Sequence, residues 1–531
     1  MLGRLHVPLI FLSIAFFSGC ATLPPGSDFP KKPSVALAHP EETHLGRQFE
    51  QAARQHNGHS GFRIIPAGAD GFLTRMQMIN AAERSIDLQY FIFRGDETGQ
   101  LLTAAVLRAA DRGVRVRVLI DDGETVDGDE QISKLEAHPN VEIRIFNPFA
   151  YRGHTMAFRA IEYTFNVSRL DYRMHNKLLV VDNTISLIGG RNIGDQYFQI
   201  DPESQFADDD VFAAGPIAQK LSGTFDEFWN NGLSIPAAAL AGEKTTHIDL
   251  HEHREVLKEK TKELHTEGER YVKQLASGEP FKGMVSGRLP LTWAHATLIS
   301  DSPDKKKVDK GTIVGRLMHR AVADATTDVE SEFLMITPYL IPGKEGMKMF
   351  NDMLKRKVRV RILTSSLESS TVLLAQSGYM HYRVPLLENG VELYEIRSLL
   401  GNAHGSGQTT EISRYGNYSL HAKMFVFDRK RVFIGSMNFD QRSMHLNTEI
   451  GLIIDSPALA QQVAARFEAM VQPVNAYTLA LLPQANQEPP RLAWRTQEGG
   501  EAVEYDTEPA RSGWQRFQVN FLSLLPLDNE L

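Results

Sequence analysis

The feature that most constrains this 531-residue chain is a sequence motif that occurs twice. Each copy reads His-x-Lys-x4-Asp, and each is followed at the same spacing by a glycine and an asparagine. One match to so short a pattern carries little weight, but two matches at equivalent places in a repeat indicate shared chemistry. The residues concerned are His175, Lys177, Asp182 and Asn192 in the first copy, and His421, Lys423, Asp428 and Asn438 in the second.

The sequence around the motif is repeated as well, with a period of about 245 residues. Alternating apolar and polar residues predict three strands in each copy, separated by stretches of helical character. The predicted strands are residues 85–93, 114–120 and 141–146, and residues 332–340, 358–364 and 391–396. The helices predicted after the first strands are residues 99–110 and 346–354. A β-α-β-α-β series in each half predicts an α/β fold, with helices covering the faces of the sheets.

The spacing inside the motif places its histidine and lysine on one side of a strand, because alternate residues of a strand share a face. Two such strands side by side would gather two imidazoles and two ammonium groups around one point. This arrangement suits a phosphodiester, since one imidazole can attack phosphorus while the other protonates the leaving alcohol. The lysines and the amides of Asn192 and Asn438 can bind the phosphate oxygens. We therefore predict one composite active site that needs neither a metal nor another cofactor.

A nucleophilic imidazole needs a partner at its second ring nitrogen to hold the required tautomer. The sequence offers one acid in each half, Asp208 and Glu449, each at the same distance before a proline that follows an apolar stretch. We assign these two as the orienting acids. Asp182 and Asp428 end the strands beside the motif, and we interpret them as supports that hold the site together.

The composition is that of a globular protein, because 42% of the residues are hydrophobic and 23% are charged. The formal net charge of −8 gives no sign of a nucleic-acid partner, since lysine and arginine contacts to phosphate dominate nucleic-acid affinity. The single cysteine, Cys20, excludes an internal disulfide and a thiolate zinc cluster within this sequence.

The first twenty residues are typical of a secretory signal, because an apolar run at residues 7–17 is too short to span a bilayer. The run ends in Phe-Ser-Gly-Cys, which resembles a bacterial lipobox, so we predict lipidation at Cys20. Residues 21–60 then form a tether and N-terminal segment. Ala21 follows the cysteine where an aspartate would favour inner-membrane retention, and we expect an outer-membrane lipoprotein that faces the periplasm.

Two similar domains are predicted at residues 61–236 and 311–475, followed by a C-terminal extension at residues 476–531. Residues 237–310 form a charged insertion, in which we expect an exposed helix at residues 255–273 and a surface loop at residues 305–307. The aromatic stretch at residues 149–165 forms either an acyl-facing rim of the site or ordinary core. The apolar tail at residues 514–527 is either an interfacial membrane helix or a helix docked on the second domain.

The paired motifs resemble those of the phospholipase D superfamily, and the likeness covers most of residues 61–470. Within that superfamily the chain resembles the bacterial cardiolipin synthase C branch. The stretches that carry this resemblance are residues 146–149, 173–177, 189–198, 514–517 and 524–526.

The resemblance implies two phospholipase D-like α/β/α sandwich domains packed as a pseudo-dimer around one active site. It also implies transfer of a phosphatidyl group onto a second phospholipid, usually phosphatidylglycerol, with phosphatidylethanolamine as a further possible donor. By the same resemblance, His175 is the nucleophile and His421 the general acid and base.

Three other functions remain open at this point. A phospholipase D hydrolase would use water as the acceptor, because acceptor choice depends on pocket shape and water exclusion. A phosphodiesterase or nuclease fits the motif but not the acidic charge. A membrane-tethered scaffold with a dead site fits poorly, since all six motif positions are intact.

Overall fold

The computed structural model describes residues 26–123, 135–153, 155–200, 204–240, 255, 279–399, 417–483 and 490–525. Cys20, the predicted lipidation site, lies outside these ranges, as does nearly all of the helix predicted at residues 255–273. Within the described ranges, no helix has the length and apolar character needed to cross a membrane.

The strands of the described residues are β1 (Ser60–Ile65), β2 (Ser85–Tyr90), β3 (Arg115–Asp121), β4 (Val141–Phe146), β5 (Leu178–Val181), β6 (Ile185–Gly189), β7 (Ser204–Ala207), β8 (Asp210–Ala214), β9 (Ser234–Pro236), β10 (Thr292–Ser300), β11 (Glu332–Ile336), β12 (Arg359–Ser365), β13 (Glu392–Ile396), β14 (Asn417–Leu420), β15 (Met424–Phe427), β16 (Arg431–Gly435), β17 (Ile450–Asp455), β18 (Ala476–Leu482), β19 (Arg491–Glu498) and β20 (Glu501–Tyr505).

The helices are α1 (His44–Gln55), α2 (Gly68–Ala81), α3 (Glu97–Asp111), α4 (Met156–Phe165), α5 (Val167–Leu170), α6 (Pro216–Trp229), α7 (Ala237–Leu240), α8 (Glu279–Val285), α9 (Lys305–Asp309), α10 (Met318–Ala325), α11 (Gly343–Lys355), α12 (Leu373–Met380), α13 (Arg383–Glu388), α14 (Pro457–Met470) and α15 (Gly513–Leu522). Short 3-10 turns occur at Pro40–Glu42 and Asp195–Tyr197, and a π-helical turn at Arg442–Leu446.

Each half contains the predicted series of parallel strands. In the first half β2, β3 and β4 are parallel neighbours, and in the second half β11, β12 and β13 are. The strand inside each motif, between its lysine and its aspartate, runs antiparallel to the first of these, β5 beside β2 and β15 beside β11. The full order is β9-β4-β3-β2-β5-β6-β8-β1 in the first half and β18-β13-β12-β11-β15-β16-β17-β10 in the second. The prediction of two similar α/β units is confirmed.

The two half-sheets join at their edges. β1 pairs antiparallel with β10, with Gly61 opposite Trp293, and this creates one sheet of 18 strands in the described residues. β19 and β20 extend the second half beyond β18. The repeat in the sequence predicted similar halves but not this shared sheet, because a periodic pattern fixes which face of a strand is buried and not what pairs with its edge.

A core cluster of buried side chains combines both halves. One cluster lies in the first half and another in the second, while the central cluster contains strand residues from both together with α6 and α14. Trp229 of α6 and Phe467 of α14 are fully buried there. Separating the halves would expose this apolar surface to water, so the central core holds them in a fixed relation.

The two motif aspartates lie at the far end of the strands that follow the histidines. Asp182 and Asp428 have positive φ angles of 50° and 52°, and each ends its strand in a tight turn. The Asp182 carboxylate accepts three backbone N–H groups from residues 83–85, and the Asp428 carboxylate accepts three from residues 330–332. Each carboxylate therefore ties this turn to the start of the neighbouring parallel strand.

The expectation of a surface loop at residues 305–307 is wrong for Lys305. This residue begins α9, and its side chain is fully buried. Its ammonium group donates to Asp301 Oδ2 at 2.8 Å and to the carbonyls of Ser443 and Asn447 at 2.7 Å each. A run of three lysines is typical of an exposed segment, but the tertiary fold supplies this one with a carboxylate and two carbonyls.

Asp428→Ala should lower the free energy of unfolding at neutral pH by about 1–3 kcal/mol, because three backbone N–H groups lose their acceptor. Burial raises the Asp428 pKa, but hydrogen bonds from Ser331 and the backbone outweigh it and lower the pKa to about 2. The stabilisation is therefore present above the unfolded pKa of about 3.9 and is lost as pH falls towards 2. Urea unfolding at a series of pH values should show that the difference in free energy of unfolding between wild type and variant decreases as the pH falls from about 3.9 to about 2. A gap that stays constant down to pH 2 would contradict this.

Candidate active site

Each motif histidine is held by its backbone to the opposite half of the chain. The His175 amide donates to the Thr448 carbonyl at 2.9 Å, and the His421 amide donates to the Ala207 carbonyl at 2.8 Å. The preceding residues cross in the same way, since β14 pairs in parallel with β7 and Met174 forms a bridge to Thr448. The two motifs therefore meet between the halves, at the carboxyl ends of β2 and β11, where β5 and β15 begin.

The orienting acids are exchanged between the halves. His175 Nδ1 lies 3.0 Å from both carboxylate oxygens of Glu449, and His421 Nδ1 lies 2.5 Å from Asp208 Oδ2. Both carboxylates are fully buried, and each imidazole is 7% exposed. Because each acid accepts the Nδ1 proton, the other ring nitrogen, Nε2, is the atom available to a substrate.

Burial sets the protonation of these four groups. It lowers the pKa of His175 and His421 well below the usual value, and the nearby lysine charges act in the same direction. It raises the pKa of Asp208 to about 6 and that of Glu449 to about 7, against the attraction of the lysines. The two imidazoles are therefore neutral, which is the state a nucleophilic nitrogen requires.

The motif lysines lie beside the histidines. The prediction that both residues lie on a strand is wrong, because β5 and β15 begin only after the lysines, at Leu178 and Met424, and the histidine backbones bind the opposite half. Lys177 Nζ donates to the carbonyl of His175 at 2.6 Å, and Lys423 Nζ donates to that of His421. Burial lowers the Lys423 pKa to about 8 and the Lys177 pKa well below its usual value, while the orienting acids oppose that change. A bound phosphate would add negative charge and raise both lysine pKa values, so these groups are suited to bind an anion.

Glu449 is fixed by groups that the sequence did not single out. Its carboxylate accepts the hydroxyls of Ser436 (2.5 Å) and Ser443 (2.8 Å). Its backbone N–H donates to Asp301 Oδ2 at 2.9 Å, and the same oxygen accepts the buried Lys305 ammonium. Of these residues, only Ser436 lies within the repeated pattern, between its glycine and its asparagine. The others, Ser443, Asp301 and Lys305, lie outside that pattern and follow no spacing rule.

Asp208 is accommodated differently, because the position equivalent to Ser436 is Gly190. A Cβ atom at Gly190 would overlap the Asp208 carboxylate. Asp208 Oδ1 accepts its neighbour's backbone N–H at 2.8 Å, and its carbonyl accepts Arg191. The shorter acid, Asp208, thus packs against a glycine that leaves room for its carboxylate. The longer acid, Glu449, packs against a serine whose hydroxyl donates to it.

The two asparagines differ in their surroundings. Asn192 accepts the Ile92 backbone N–H at 3.2 Å and donates to the Tyr197 hydroxyl at 2.8 Å. Asn438 is buried, and its Oδ1 has no hydrogen-bond partner among the described residues. Asn192 thus reaches the site through Tyr197, whose ring contacts His421, and part of its amide is used to hold that ring. Asn438 follows Ser436, the residue that donates to Glu449, by two positions.

Aromatic rings surround the histidines. Phe91 meets His175 edge-on at 5.0 Å, and the Lys177 ammonium lies 5.3 Å from the same ring. Tyr197 meets His421 edge-on at 5.3 Å, and Phe206 lies 5.2 Å from that imidazole. These rings were not predicted, since scattered aromatic residues give no periodic signal. They provide an apolar wall that limits the access of water to the reacting atoms.

The comparisons with known proteins agree with this geometry. The chain matches the family described as cardiolipin synthase, phospholipase D-like domain, over residues 76–229 and 323–471, one match in each half. It is 35% identical to cardiolipin synthase C of Escherichia coli (strain K12) over 491 residues, which cover 89% of this chain and 97% of that protein. It is 23% identical to the major cardiolipin synthase of Bacillus subtilis (strain 168), over 76% of this chain and 67% of that protein.

A solved structure shares the fold. The phosphatidylserine synthase of Haemophilus influenzae Rd KW20 superposes with a TM-score of 0.51 at 14% identity, covering 83% of this chain and 94% of that one. At this identity the likeness concerns the fold alone.

Gly190→Ala should displace the Asp208 carboxylate and break its hydrogen bond to His421. In proton NMR, the downfield Nδ1–H resonance that disappears in His421→Ala should also be lost in Gly190→Ala. The matched control is Gly223→Ala in α6, where an added Cβ meets nothing within 4 Å. An unchanged His421 resonance in the folded Gly190→Ala protein would show that the acid does not depend on this glycine.

Proposed function

Because this chain belongs to the cardiolipin synthase family of phospholipase D-like proteins, we propose that it is a phosphatidyltransferase that makes cardiolipin through a phosphohistidine intermediate. The observation that carries the proposal is the pair of neutral, buried imidazoles, each oriented by a carboxylate of the other half and flanked by a buried lysine. Two oriented imidazoles provide one nucleophile and one proton carrier, which a double displacement at phosphorus requires.

In the first step the lone pair of His175 Nε2 attacks the phosphorus of the donor phospholipid. The P–O bond to the headgroup alcohol breaks, and the leaving oxygen takes a proton from His421. The negative charge of the bound phosphodiester raises the pKa of the His421 imidazole, so substrate binding favours the protonated form that this step consumes. His175 is assigned as the nucleophile by the resemblance to the superfamily.

In the second step His421 removes the proton of the incoming hydroxyl, whose oxygen attacks phosphorus and releases His175. The phosphatidyl group passes to the new alcohol with no net change in protonation. Lys177 and Lys423 bind the phosphate oxygens throughout, and Asn192 and Asn438 complete the set of donors. The charge that develops on these oxygens is met by ammonium groups of the chain itself, and no step calls for a further cofactor.

The acceptor we propose is the glycerol hydroxyl of phosphatidylglycerol, with phosphatidylglycerol or phosphatidylethanolamine as the donor. The similarity to proteins named cardiolipin synthase over most of both chains supports this choice. The aromatic wall of Phe91, Tyr197 and Phe206 also favours a lipid alcohol over water, because it restricts the hydration of the phosphohistidine.

We also propose that lipidation at Cys20 attaches the protein to the outer membrane, facing the periplasm. The short apolar run before the cysteine and the residue after it support this attachment. A tethered enzyme would be held next to its lipid substrates.

Purified protein given labelled phosphatidylglycerol, with and without phosphatidylethanolamine, should produce cardiolipin. His175→Ala and His421→Ala should each reduce turnover by at least about 10³-fold, because either loss removes one of the two imidazoles. Chelators should leave the rate unchanged. Lipid products are identified by mass spectrometry. Phosphatidic acid as the only product would replace the synthase with a hydrolase, and cleavage of oligonucleotides instead of lipid would favour a nuclease.

The pH dependence of kcat/KM should be bell-shaped with its maximum between about 7 and 8. Activity falls on the acid side as Asp208 and Glu449, whose pKa values burial raises to about 6 and about 7, take up protons and release the imidazoles. It falls on the alkaline side as the two lysines lose their charge, since burial lowers the pKa of Lys423 to about 8 and that of Lys177 well below its usual value. The double variant Lys177→Arg, Lys423→Arg should retain reduced activity and move the alkaline limb to higher pH. An alkaline limb unmoved in this variant would assign it to another group.

A further inference from the structure

The helix α4 exposes an apolar face to solvent. Phe158, Ile161 and Phe165 are 54%, 53% and 82% exposed, and their spacing places them on one side of the helix. The opposite side is fixed to the protein through Arg159, whose guanidinium lies over the Phe149 ring at 4.6 Å and donates to Asp122. An ordered helix that turns aromatic side chains outward indicates a surface that another phase or molecule covers.

The C-terminal helix α15 repeats this arrangement in the second half. It docks through the buried Val519 and through Gln515, which donates to the Leu367 carbonyl at 2.9 Å. Three aromatic side chains on its outer side are more than half exposed, and they are Trp514 (65%), Phe517 (58%) and Phe521 (57%). The two alternatives for the tail are therefore compatible, since one face of the helix docks and the other remains free to contact lipid.

Each helix lies at the end of its own half-sheet that carries the motif histidine of that half. Asp121 ends β3 and accepts the backbone N–H of Met174, the residue before His175, and the next residue, Asp122, anchors α4. On the other side, Leu367 follows the end of β12 and holds α15. Within its own half, β3 is parallel to β2 and β12 is parallel to β11, so each carboxyl end opens on the side of that half where its motif histidine lies. The two sides meet at the active site, because each histidine contacts the acid of the other half.

The charge at these faces suits an anionic surface. The only carboxylate of α4, Glu162, turns inward and accepts the backbone N–H groups of Ala150 and Tyr151. α15 contains no carboxylate. Cations stand beside both faces, with Lys306 next to the start of α5 and Arg511 next to the start of α15. The outward faces of these two helices therefore present no negative charge that an anionic surface would repel.

We propose that the exposed faces of α4 and α15 together form a docking surface that inserts into an anionic phospholipid bilayer and presents the active site to it. Aromatic rings with flanking cations are the side chains that such interfaces favour. The inference rests on the proposed function, because a bilayer at this edge is where a phospholipid substrate would enter. The docking surface adds that each half contacts the membrane through one helix, one on either side of the site. The scissile phosphate can then reach the histidines without leaving the membrane–water interface.

Insertion is tested with single cysteines in a full-length Cys20→Ser background, which removes the natural cysteine and any lipid attached to it. Phe165→Cys, Phe517→Cys and Lys355→Cys are each labelled with an environment-sensitive fluorophore. Lys355 is the control, because it is exposed and ends α11, just before the start of β12 at the opposite edge of the sheet. Vesicles of phosphatidylglycerol and phosphatidylethanolamine carry a nitroxide on the acyl chain. Quenching of at least about twofold is expected at positions 165 and 517 and none at 355, as for side chains that reach the acyl region.

Activity separates this surface from the proposed chemistry. The combined variant Trp514→Ser, Phe517→Ser and Phe521→Ser should lose at least about tenfold of its turnover on vesicles, but keep its rate on a short-chain, monomeric phosphatidyl donor and acceptor. Val35→Ser is the matched control, because Val35 is exposed and lies beside the start of β3 at the opposite edge.

Labels at 165 and 517 that vesicles do not quench would overturn the docking surface, even where short-chain substrates still turn over. A spectral change without vesicles that grows with protein concentration would assign the surface to a second copy of the chain and also overturn it. Insertion without turnover of any phospholipid would leave the docking surface in place and remove the proposed function instead.

Discussion

The exchange of acids between the two halves is the interaction on which the rest of the site depends. Each imidazole takes its Nδ1 partner from the other half, His175 from Glu449 and His421 from Asp208. A hydrogen bond of this kind tolerates displacements of only a few tenths of an ångström. The joined sheet and the shared central core therefore have a chemical purpose, since they fix the distance across which both imidazoles are oriented.

A second requirement is that buried charges remain compensated. The site concentrates two lysines and two carboxylates away from water, where an unpaired charge is costly. Further buried charged groups lie next to the site. Among them, Lys305 and Asp301 form an ion pair, and Asp301 brings the segment between the halves into contact with the backbone of Glu449. The linking segment thus acts as part of the active-site framework and does more than connect two domains.

Sequence reasoning reached the strands, the motif residues and the two carboxylates, because these follow from alternation along a strand and from equivalent spacing in a repeat. It could not foresee that each carboxylate serves the histidine of the opposite half, since spacing within one copy says nothing about pairing between copies. Lys305 was misplaced because local charge predicted exposure, whereas partners distant in the chain determine its burial.

The difference between Gly190 and Ser436 has a consequence for how such a site can be built. A symmetric dimer made of one repeat must carry the same residue at both positions, so it must give both imidazoles the same acid and the same surroundings. A single chain that contains both repeats is free of that constraint. Here Asp208 sits against a glycine, while Glu449 sits against a serine that donates to it. Fusion of the repeats therefore allows the two histidines to specialise, one for bond formation to phosphorus and the other for proton transfer.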